Sequence, residues 1–437
     1  MKESKITPRT LQGFLELLPN EQILFNQMLE KIKGTYEKFG FLPLDTPIVE
    51  SAEVLLAKAG GETEKQVYRF NKGDNDLVLR FDLTVPLAKY VSLNYHNLSF
   101  PFRRYQIGKV YRGEKPQKGR FREFYQCDID IIGDNELNII NDAEIPSIIY
   151  NTFKSLGFDN FTICINNRKV LSGFFTYLNL QEKNSDILRI IDKLNKIGIE
   201  AVKEELEKLG IKEADISKII ELIKITGDAE AKIASLKHLG INTSDFIEGV
   251  NELEKIVKYI RLFGVPEENF KIDLTIVRGL DYYTGTVYET LLNDHKELGS
   301  VCGGGRYDNL AEFYTDKKLP GVGISMGLTR LFYKLNEINA INANKKSIAE
   351  VLVIPMIEDI SVPIKIATEL RNSGINTEVY VNNKNIKGKF NYANKLQVPY
   401  VIVIGEDEIV SNKFSLKNME TGEQELLAVE DIIRKLK

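Results

Sequence analysis

The sequence predicts an α+β protein: an antiparallel sheet flanked by helices, interrupted by a block of helices and followed by a small, separate α/β domain. Three observations carry this reading. Short β-rich runs, two of them joined by a brief loop, occupy residues 77 to 166. At about Asn167 they give way to Lys/Glu/Leu/Ile-rich segments with apolar residues every three or four positions. From Glu350 onward, strand-like and helix-like patterns alternate to the end.

Taken in order, Ile23, Leu24, Met28, Leu29, Ile32, Tyr36 and Phe39 recur at helical spacing until Gly40 stops the pattern. The following FLPLDTPIVES carries Pro43 and Pro47, which cannot donate to a ladder, so it is expected at a sheet edge or a subunit contact. LVLRFDL (77 to 83), YQIGKVYR (105 to 112), REFYQCDIDIIG (122 to 133) and FTICIN (161 to 166) read as strands. The loop at 113 to 121 makes the middle two an antiparallel pair. The helical block spans about 168 to 268, with Gly198, Gly210, Gly227 and Gly240 as helix stops. KIDLTIVRGLDYYTGTVYETLL then resumes the strand-rich core, which closes by about residue 335. After the polar NEINAINANKKS, the tail at 348 to 437 is expected to fold by itself around a largely parallel sheet.

Composition narrows the function. A chain of 437 residues suggests two or three domains. With 58 Lys+Arg against 62 Asp+Glu the net charge is −4, which excludes a nonspecific nucleic-acid binder and leaves only local basic patches for such a contact. Cys127, Cys164 and Cys302 have no zinc spacing and read as free thiols, and His96, His238 and His295 read as structural or surface residues. No apolar run is long enough to span a membrane and the start, MKESKITPRT, is polar, so a cytoplasmic protein without membrane contact is expected.

The strongest local signal lies between Arg103 and Glu123, where eight basic residues meet two acidic ones. A solvated basic hairpin would account for the charge alone. The order of residues says more: Arg112 and Glu114 share strand parity, as do Arg120, Arg122 and Phe124, and each set is expected on one face. Arginine gives forked contacts to phosphate and Phe124 offers a stacking face, so a nucleoside triphosphate site is expected.

At these residues a resemblance becomes close. YQIGKVYRGEKPQKGRFREFYQCDIDIIG resembles motif 2 of class II aminoacyl-tRNA synthetases, in the form typical of histidyl-tRNA synthetases. GFLPLDTPIVES resembles motif 1 and GVGISMGLTRLF motif 3, while RGLDYYTGTVYE and GGGRYD resemble the family's two histidine-specific signatures. The motifs run in the family's order, and the tail, including NYANKLQVPYVIVIGEDE, resembles its anticodon-binding domain.

The resemblance implies a class II catalytic core over 1 to 335 and an anticodon-binding domain over 348 to 437. It implies activation of histidine by ATP with Mg2+, transfer of histidine to the terminal ribose of its tRNA, and a homodimer through the motif 1 region. By position, Arg112 would hold the α-phosphate, Glu114 read the adenine amino group, Phe124 stack on adenine and Arg120 join the ATP site. Arg330 would cover the other face of the ring and reach the γ-phosphate, and Arg278 would neutralise charge developing on the α-phosphate. No resident protein-bound metal is implied. Asp82, Thr84 and Gln126 would take the α-amino side of histidine, and Asp130, Tyr283 and Tyr307 its imidazole. A buried carboxylate at Asp130 is expected to find its partner in the histidine ring. Gln117, in the loop from Lys115 to Arg120, matches a position that meets the tRNA acceptor end, and Lys384, Lys387, Lys389 and Lys395 are candidates for a phosphate-binding stripe on the tail.

Singly, Asp82 reads as well as a strand-end cap, Tyr283 as a core aromatic and the glycine run as a tight turn; five motifs in order do not. The chain departs from the family where motif 3 usually has an acidic residue beside its arginine, here Thr329, and where some relatives have Glu in place of Asp130. Two other readings are a non-catalytic histidine-binding regulatory paralogue of histidine biosynthesis and a sensor of uncharged tRNA. The first is disfavoured by Arg112, Arg278, Arg330 and the tail, the second by the absence of fused regulatory segments.

Overall fold

The computed structural model describes residues 6–57, 66–115, 119–277, 283–309 and 311–437. It divides into two compact units, one built on Leu29–Ile338 with the segment ending at Leu15, the other from Glu16–Met28 and Asn339–Lys437.

The first unit is organised by an eight-stranded sheet. Its strands are β1 (Leu42–Pro43), β5 (Phe102–Tyr111), β6 (Glu123–Ile132), β7 (Phe161–Asn167), β8 (Phe270–Ile272), β9 (Thr286–Leu292), β10 (Cys302–Tyr307) and β11 (Gly321–Gly327), in spatial order β1-β5-β6-β11-β10-β9-β7-β8. The six central strands are antiparallel, and a short parallel strand closes each edge. Pro43 lies in the edge strand β1, as its missing N–H requires. The pairing of β5 with β6 is antiparallel over their whole length, from Phe102↔Ile132 to Tyr111↔Glu123.

A three-stranded sheet, β2 (Val49–Ser51), β4 (Asn75–Leu79) and β3 (Arg69–Lys72), stands apart in the order β2-β4-β3. The run 77 to 83 is therefore not one strand. The ladder ends at Leu79; the Arg80 N–H donates to the Ile48 carbonyl at 2.9 Å, the Arg80 carbonyl accepts from the Tyr111 N–H at 2.9 Å, and its buried side chain donates to the carbonyls of Lys109, at 2.8 Å, and Thr46. Asp82 then accepts the Val85 N–H at 3.0 Å and opens the helix Thr84–Asn94.

One face of the large sheet is covered by helices. Tyr36, fully buried on Pro19–Lys38, donates to the Cys127 carbonyl at 3.2 Å, and Tyr288 of β9 donates to the carbonyl of Asp142 on Ile140–Leu156 at 2.7 Å. Between β7 and β8 the chain runs through helices from Arg168–Tyr177 to Ser244–Leu262, the expected helical block. Gly198, Gly210, Gly227 and Gly240 all have φ between 64° and 116°, the left-handed region in which a helix ends or breaks without side-chain strain.

In the second unit, β12 (Val351–Pro355), β13 (Thr377–Val379), β14 (Tyr400–Ile404), β15 (Phe414–Asn418) and β16 (Gln424–Leu427) lie in the order β13-β12-β14-β15-β16. β12 is parallel to both neighbours, but β14-β15 and β15-β16 are antiparallel, so the sheet is mixed rather than largely parallel. The link from β14 to β15, which forms only the short helix Glu406–Ser411, is too brief for the crossover of roughly a dozen residues that a parallel return needs. VLVIP and YVIVI read as unbroken apolar runs because both their faces are buried: Val351, Val353, Ile402 and Ile404 enter one core, Leu352, Ile354 and Val401 another. Among the described residues no helix is long and apolar enough to cross a membrane.

Candidate active site

The face of the large sheet opposite Tyr36 carries its polar residues in rows set by register. Arg104, Asp130, Gly323 and Gly305 form one row across β5, β6, β11 and β10. Gln106, Asp128, Ser325 and Gly303 form the next, and Gly108, Gln126 and Gly327 a third. Paired residues on antiparallel strands point to the same side, so Gln126, Asp128 and Asp130 share one face with Arg104 and Tyr307. The glycines are what make the rows compatible. A Cβ on Gly323 would strike the Asp130 carboxylate and the Ile129 carbonyl, and one on Gly305 would lie 2.6 Å from the Thr286 carbonyl and 2.8 Å from the Tyr283 ring. GGGRYD is therefore a strand whose small residues admit close neighbours, not a turn.

Asp130 is 3% exposed, and its partners come from the protein itself. Arg104 Nη2 lies 2.5 Å from Asp130 Oδ2, and the Tyr307 hydroxyl donates to Oδ1 at 2.6 Å. The sequence reading looked to the histidine ring for this partner; the protein supplies two of its own. Burial still dominates, raising the carboxyl to about 6 against the opposing pull of Arg104 and Tyr307. Arg104, counted from sequence within a basic hairpin, is in fact fully buried.

Arg104 also donates to the Leu83 carbonyl at 3.0 Å, while Arg112 Nε donates to the Phe81 carbonyl at 3.0 Å. Two arginines from β5 and its end thereby pin Phe81–Leu83, the turn that presents Asp82 and leads into Thr84. Asp82 feels both guanidinium charges, yet burial outweighs them and raises its carboxyl. Its hydrogen bond to Val85 shows that it caps the helix as well as standing in the site. Gln126 Nε2 donates to Ser325 Oγ at 2.7 Å, and Tyr283 and Tyr307 lie in a buried cluster with Leu87, Val91, Phe102 and Ile132.

Beyond the strand ends the charged residues form a second group. The Arg112 guanidinium stands 5.2 Å from the Phe124 ring centroid, and Arg120 lies 3.5 Å from the Glu114 carboxylate. Arg112, Glu114, Arg120 and Arg122 lie outside β5 and β6, so strand parity does not govern them. Their placement comes from the Arg112 N–H to Arg122 carbonyl bond at 2.9 Å and from Arg122 Nε donating to the Glu114 carbonyl at 3.2 Å. Arg330, on the helix Leu328–Glu337, donates to the Leu298 carbonyl at 2.6 Å. Partial desolvation and then the nearby Arg120 charge lower its pKa, an arrangement that an anion between the two would relieve. Thr329 points away from this group: it is 5% exposed and its hydroxyl accepts the Tyr125 N–H at 2.8 Å, tying the helix to β6.

Arg278 and Gln117 lie outside the described residues. Cys127, Cys164 and Cys302 are buried and in no disulfide, and His96 and His238 are exposed. In the tail, Lys389 donates to the Pro355 carbonyl at 2.5 Å, so the lysine stripe reduces to the exposed Lys384, Lys387 and Lys395. Sequence reasoning passed over Arg104, Asp128 and Ser325. The signal for Asp128 was present, since it falls between Gln126 and Asp130 on alternate positions of one strand.

Known proteins resemble the chain along its whole length. A family model described as histidyl-tRNA synthetase matches residues 13–331, and one described as an anticodon binding domain matches residues 350–437. The histidine–tRNA ligase of Clostridium tetani is 60% identical over 438 residues, covering 100% of both chains. The crystal structure of histidyl-tRNA synthetase from Nostoc sp. PCC 7120 superposes with a TM-score of 0.91 at 41% identity, covering 99% of this chain and 100% of that one. A Bacillus halodurans structure titled as an ATP phosphoribosyltransferase regulatory subunit/histidyl-tRNA synthetase shares the fold, with a TM-score of 0.75 at 22% identity over 89% of this chain and 97% of its own. The full-length identity and the model spanning most of the chain show that it belongs to the histidyl-tRNA synthetase family.

Proposed function

We propose that the chain is a histidine–tRNA ligase, which joins histidine to ATP as histidyl-adenylate with release of pyrophosphate, then passes histidine to the 3′-terminal ribose of its tRNA. The observation that carries the site assignment is the pinned turn: Arg104 ties Asp130 to Leu83, and Arg112 ties Phe81 to the charged group around Phe124. One connected set of residues thus joins a pocket for an amino acid to a site for a triphosphate.

In this reading Asp82, Thr84 and Gln126 receive the α-ammonium of histidine, while Asp130, held by Tyr307, accepts from the imidazole beside Tyr283. Arg112 and Arg120 meet the phosphates, Glu114 reads the adenine amino group and Phe124 stacks on the ring, with Arg330 toward the γ-phosphate. Arg278 stabilises charge at the α-phosphate by its family position. Displacement at phosphorus needs positioning and positive charge more than a covalent nucleophile, and the site is rich in both. Mg2+ enters with ATP and offsets charge on its phosphates. Gln117 meets the acceptor end of the tRNA, and residues 348 to 437 bind the anticodon. Leu42, Ile48 and Val49 expose 59%, 42% and 42% of their surface beside the edge strand β1, which supports a homodimer through this segment. A cytoplasmic enzyme is the corresponding location.

The test is pyrophosphate exchange. Purified protein should exchange pyrophosphate into ATP only when histidine is present, and Arg278→Ala should abolish this while the circular dichroism spectrum persists. Exchange without histidine, or none, overturns the assignment. Removal of residues after about 345 should spare exchange and cripple tRNA charging; equal loss of both would make the tail structural.

A further inference from the structure

The charged group beyond the strand ends is held on both flanks by segments distant in sequence. On the β5 flank, Arg112 Nε donates to the Phe81 carbonyl, and the Gly113 N–H donates to the Gln66 carbonyl at 2.6 Å. On the β6 flank the hold comes from the short stretch ahead of the helix Pro19–Lys38. There the Arg122 N–H donates to the Gly13 carbonyl at 2.7 Å, and Arg122 Nη1 lies 3.5 Å from the Gln12 carbonyl. Arg122 passes this hold inward: its carbonyl accepts the Arg112 N–H at 2.9 Å, and its Nε donates to the Glu114 carbonyl at 3.2 Å. Arg122 thus meets Gly13 on one side and, on the other, the backbones of the two residues assigned to the α-phosphate and the adenine amino group.

Two separate features require glycine at position 13. Its φ is +89°, in the left-handed region that L side chains rarely adopt. A Cβ there would also lie 2.9 Å from Arg122 Cγ and 3.1 Å from its Cδ, near the root of that side chain, where it has little room to swing away. A turn closed by the Phe14 N–H on the Leu11 carbonyl, at 3.1 Å, presents the Gly13 carbonyl to Arg122.

We propose that Gly13 is a positioning residue for ATP: through Arg122 it clamps the charged hairpin in the shape that sets Arg112 toward the phosphates and Glu114 toward adenine. The proposal rests on the assignment of Arg112 and Glu114 to ATP. The β5-β6 ladder ends at Tyr111↔Glu123, so the geometry of the residues beyond it depends on such ties. A looser clamp lowers the fraction of molecules whose hairpin is ready for ATP, and apparent affinity falls with that fraction. Gln126 and Asp130, assigned to histidine, lie inside the ladder and are set by its register.

Histidine-dependent pyrophosphate exchange by the full chain tests the clamp, with KM for ATP and KM for histidine measured separately. Gly13→Ala should raise KM for ATP about fivefold, the worth of one neutral hydrogen bond, and change KM for histidine less than about twofold. Gly157→Ala is the control for backbone strain, since Gly157 ends the helix Ile140–Leu156 with a φ of +92° and a Cβ there meets nothing within 4 Å. It should leave both KM values within about twofold of the parent. Arg122→Lys keeps the positive charge but has no N–H at the Nε position. It should raise KM for ATP as Gly13→Ala does, and it decides the matter should Gly13→Ala fail to fold. The double variant should be no worse than the more affected single one, because both changes cut the same chain of contacts. An unchanged KM for ATP in Gly13→Ala, an equal rise in KM for histidine, or an equal effect of Gly157→Ala overturns the clamp. So does a parent-like KM for ATP in Arg122→Lys, or a double variant whose effect is the product of the two. A parent chain without histidine-dependent exchange overturns the functional assignment itself, whereas normal exchange with a flat KM for ATP removes the clamp alone.

Discussion

Arg104 and Asp130 form an ion pair at 2.5 Å with side chains 0% and 4% exposed, directly across the β5-β6 ladder. Such a pair is expensive to leave half-made, because either charge alone would face a low-dielectric interior. Arg104→Met should therefore lower unfolding free energy by about 3–5 kcal/mol in urea titration. Adding Asp130→Asn should recover much of that loss without recovering histidine-dependent exchange. Stability left unchanged by Arg104→Met would mean that solvent reaches the pair.

Asp128 and Asp130 are both raised, to about 7 and about 6, from an ordinary value of 3.8. A carboxyl raised on folding binds its proton more tightly in the native state than in the unfolded one. Its contribution is fully present below the unfolded pKa and is lost as pH climbs to the folded pKa. For these two groups stability should fall between about pH 4 and pH 7 and then level. As pH rises, the melting temperature of Asp130→Asn minus that of the parent should increase over the lower part of that window, and that of Asp128→Asn minus the parent over all of it, by scanning calorimetry. Curves that run parallel to the parent's would contradict the shifts.

Two motif 3 glycines should behave oppositely. Gly323→Ala drives a methyl into the Asp130 carboxylate and the Ile129 carbonyl, whereas a Cβ on Gly327 meets nothing within 4 Å. The first should cost more than about 2 kcal/mol and raise KM for histidine; the second should stay within about 0.5 kcal/mol. Similar costs for both would show that β11 can shift away from β6.

Thr329→Val keeps the side-chain shape but removes the acceptor of the Tyr125 N–H. It should destabilise by about 1–3 kcal/mol, and Thr329→Ser should restore most of this. Because the hydroxyl points to β6, the magnesium dependence of exchange should be the same in the valine variant as in the parent. A shifted magnesium requirement would place Thr329 in phosphate handling instead.

The legible part of this protein was whatever depends on pattern along the chain. Alternation marked β5, β6 and β7, helical spacing marked the inserted helices, and Pro43 marked an edge, because each constraint acts within a few residues. The ordered motifs named the family, and the roles proposed between Arg103 and Asp130 divide by position into a phosphate group and an amino-acid group. What the chain could not declare was pairing across it. Arg104 looked like one more surface cation until the β5-β6 register set it against Asp130 in the interior. Ser325 gave no sign of accepting from Gln126, nor Thr329 of capping a β6 amide, because those partners lie some 200 positions away. The tail's last two strands turned antiparallel for a similar reason: direction is fixed by the length and path of the connection, not by the apolar run that forms the strand. Sequence determined the family and which groups are proposed for the site. Tertiary structure decided which of them would be buried together, and so which charges were already paired and which donors and acceptors remained for a substrate.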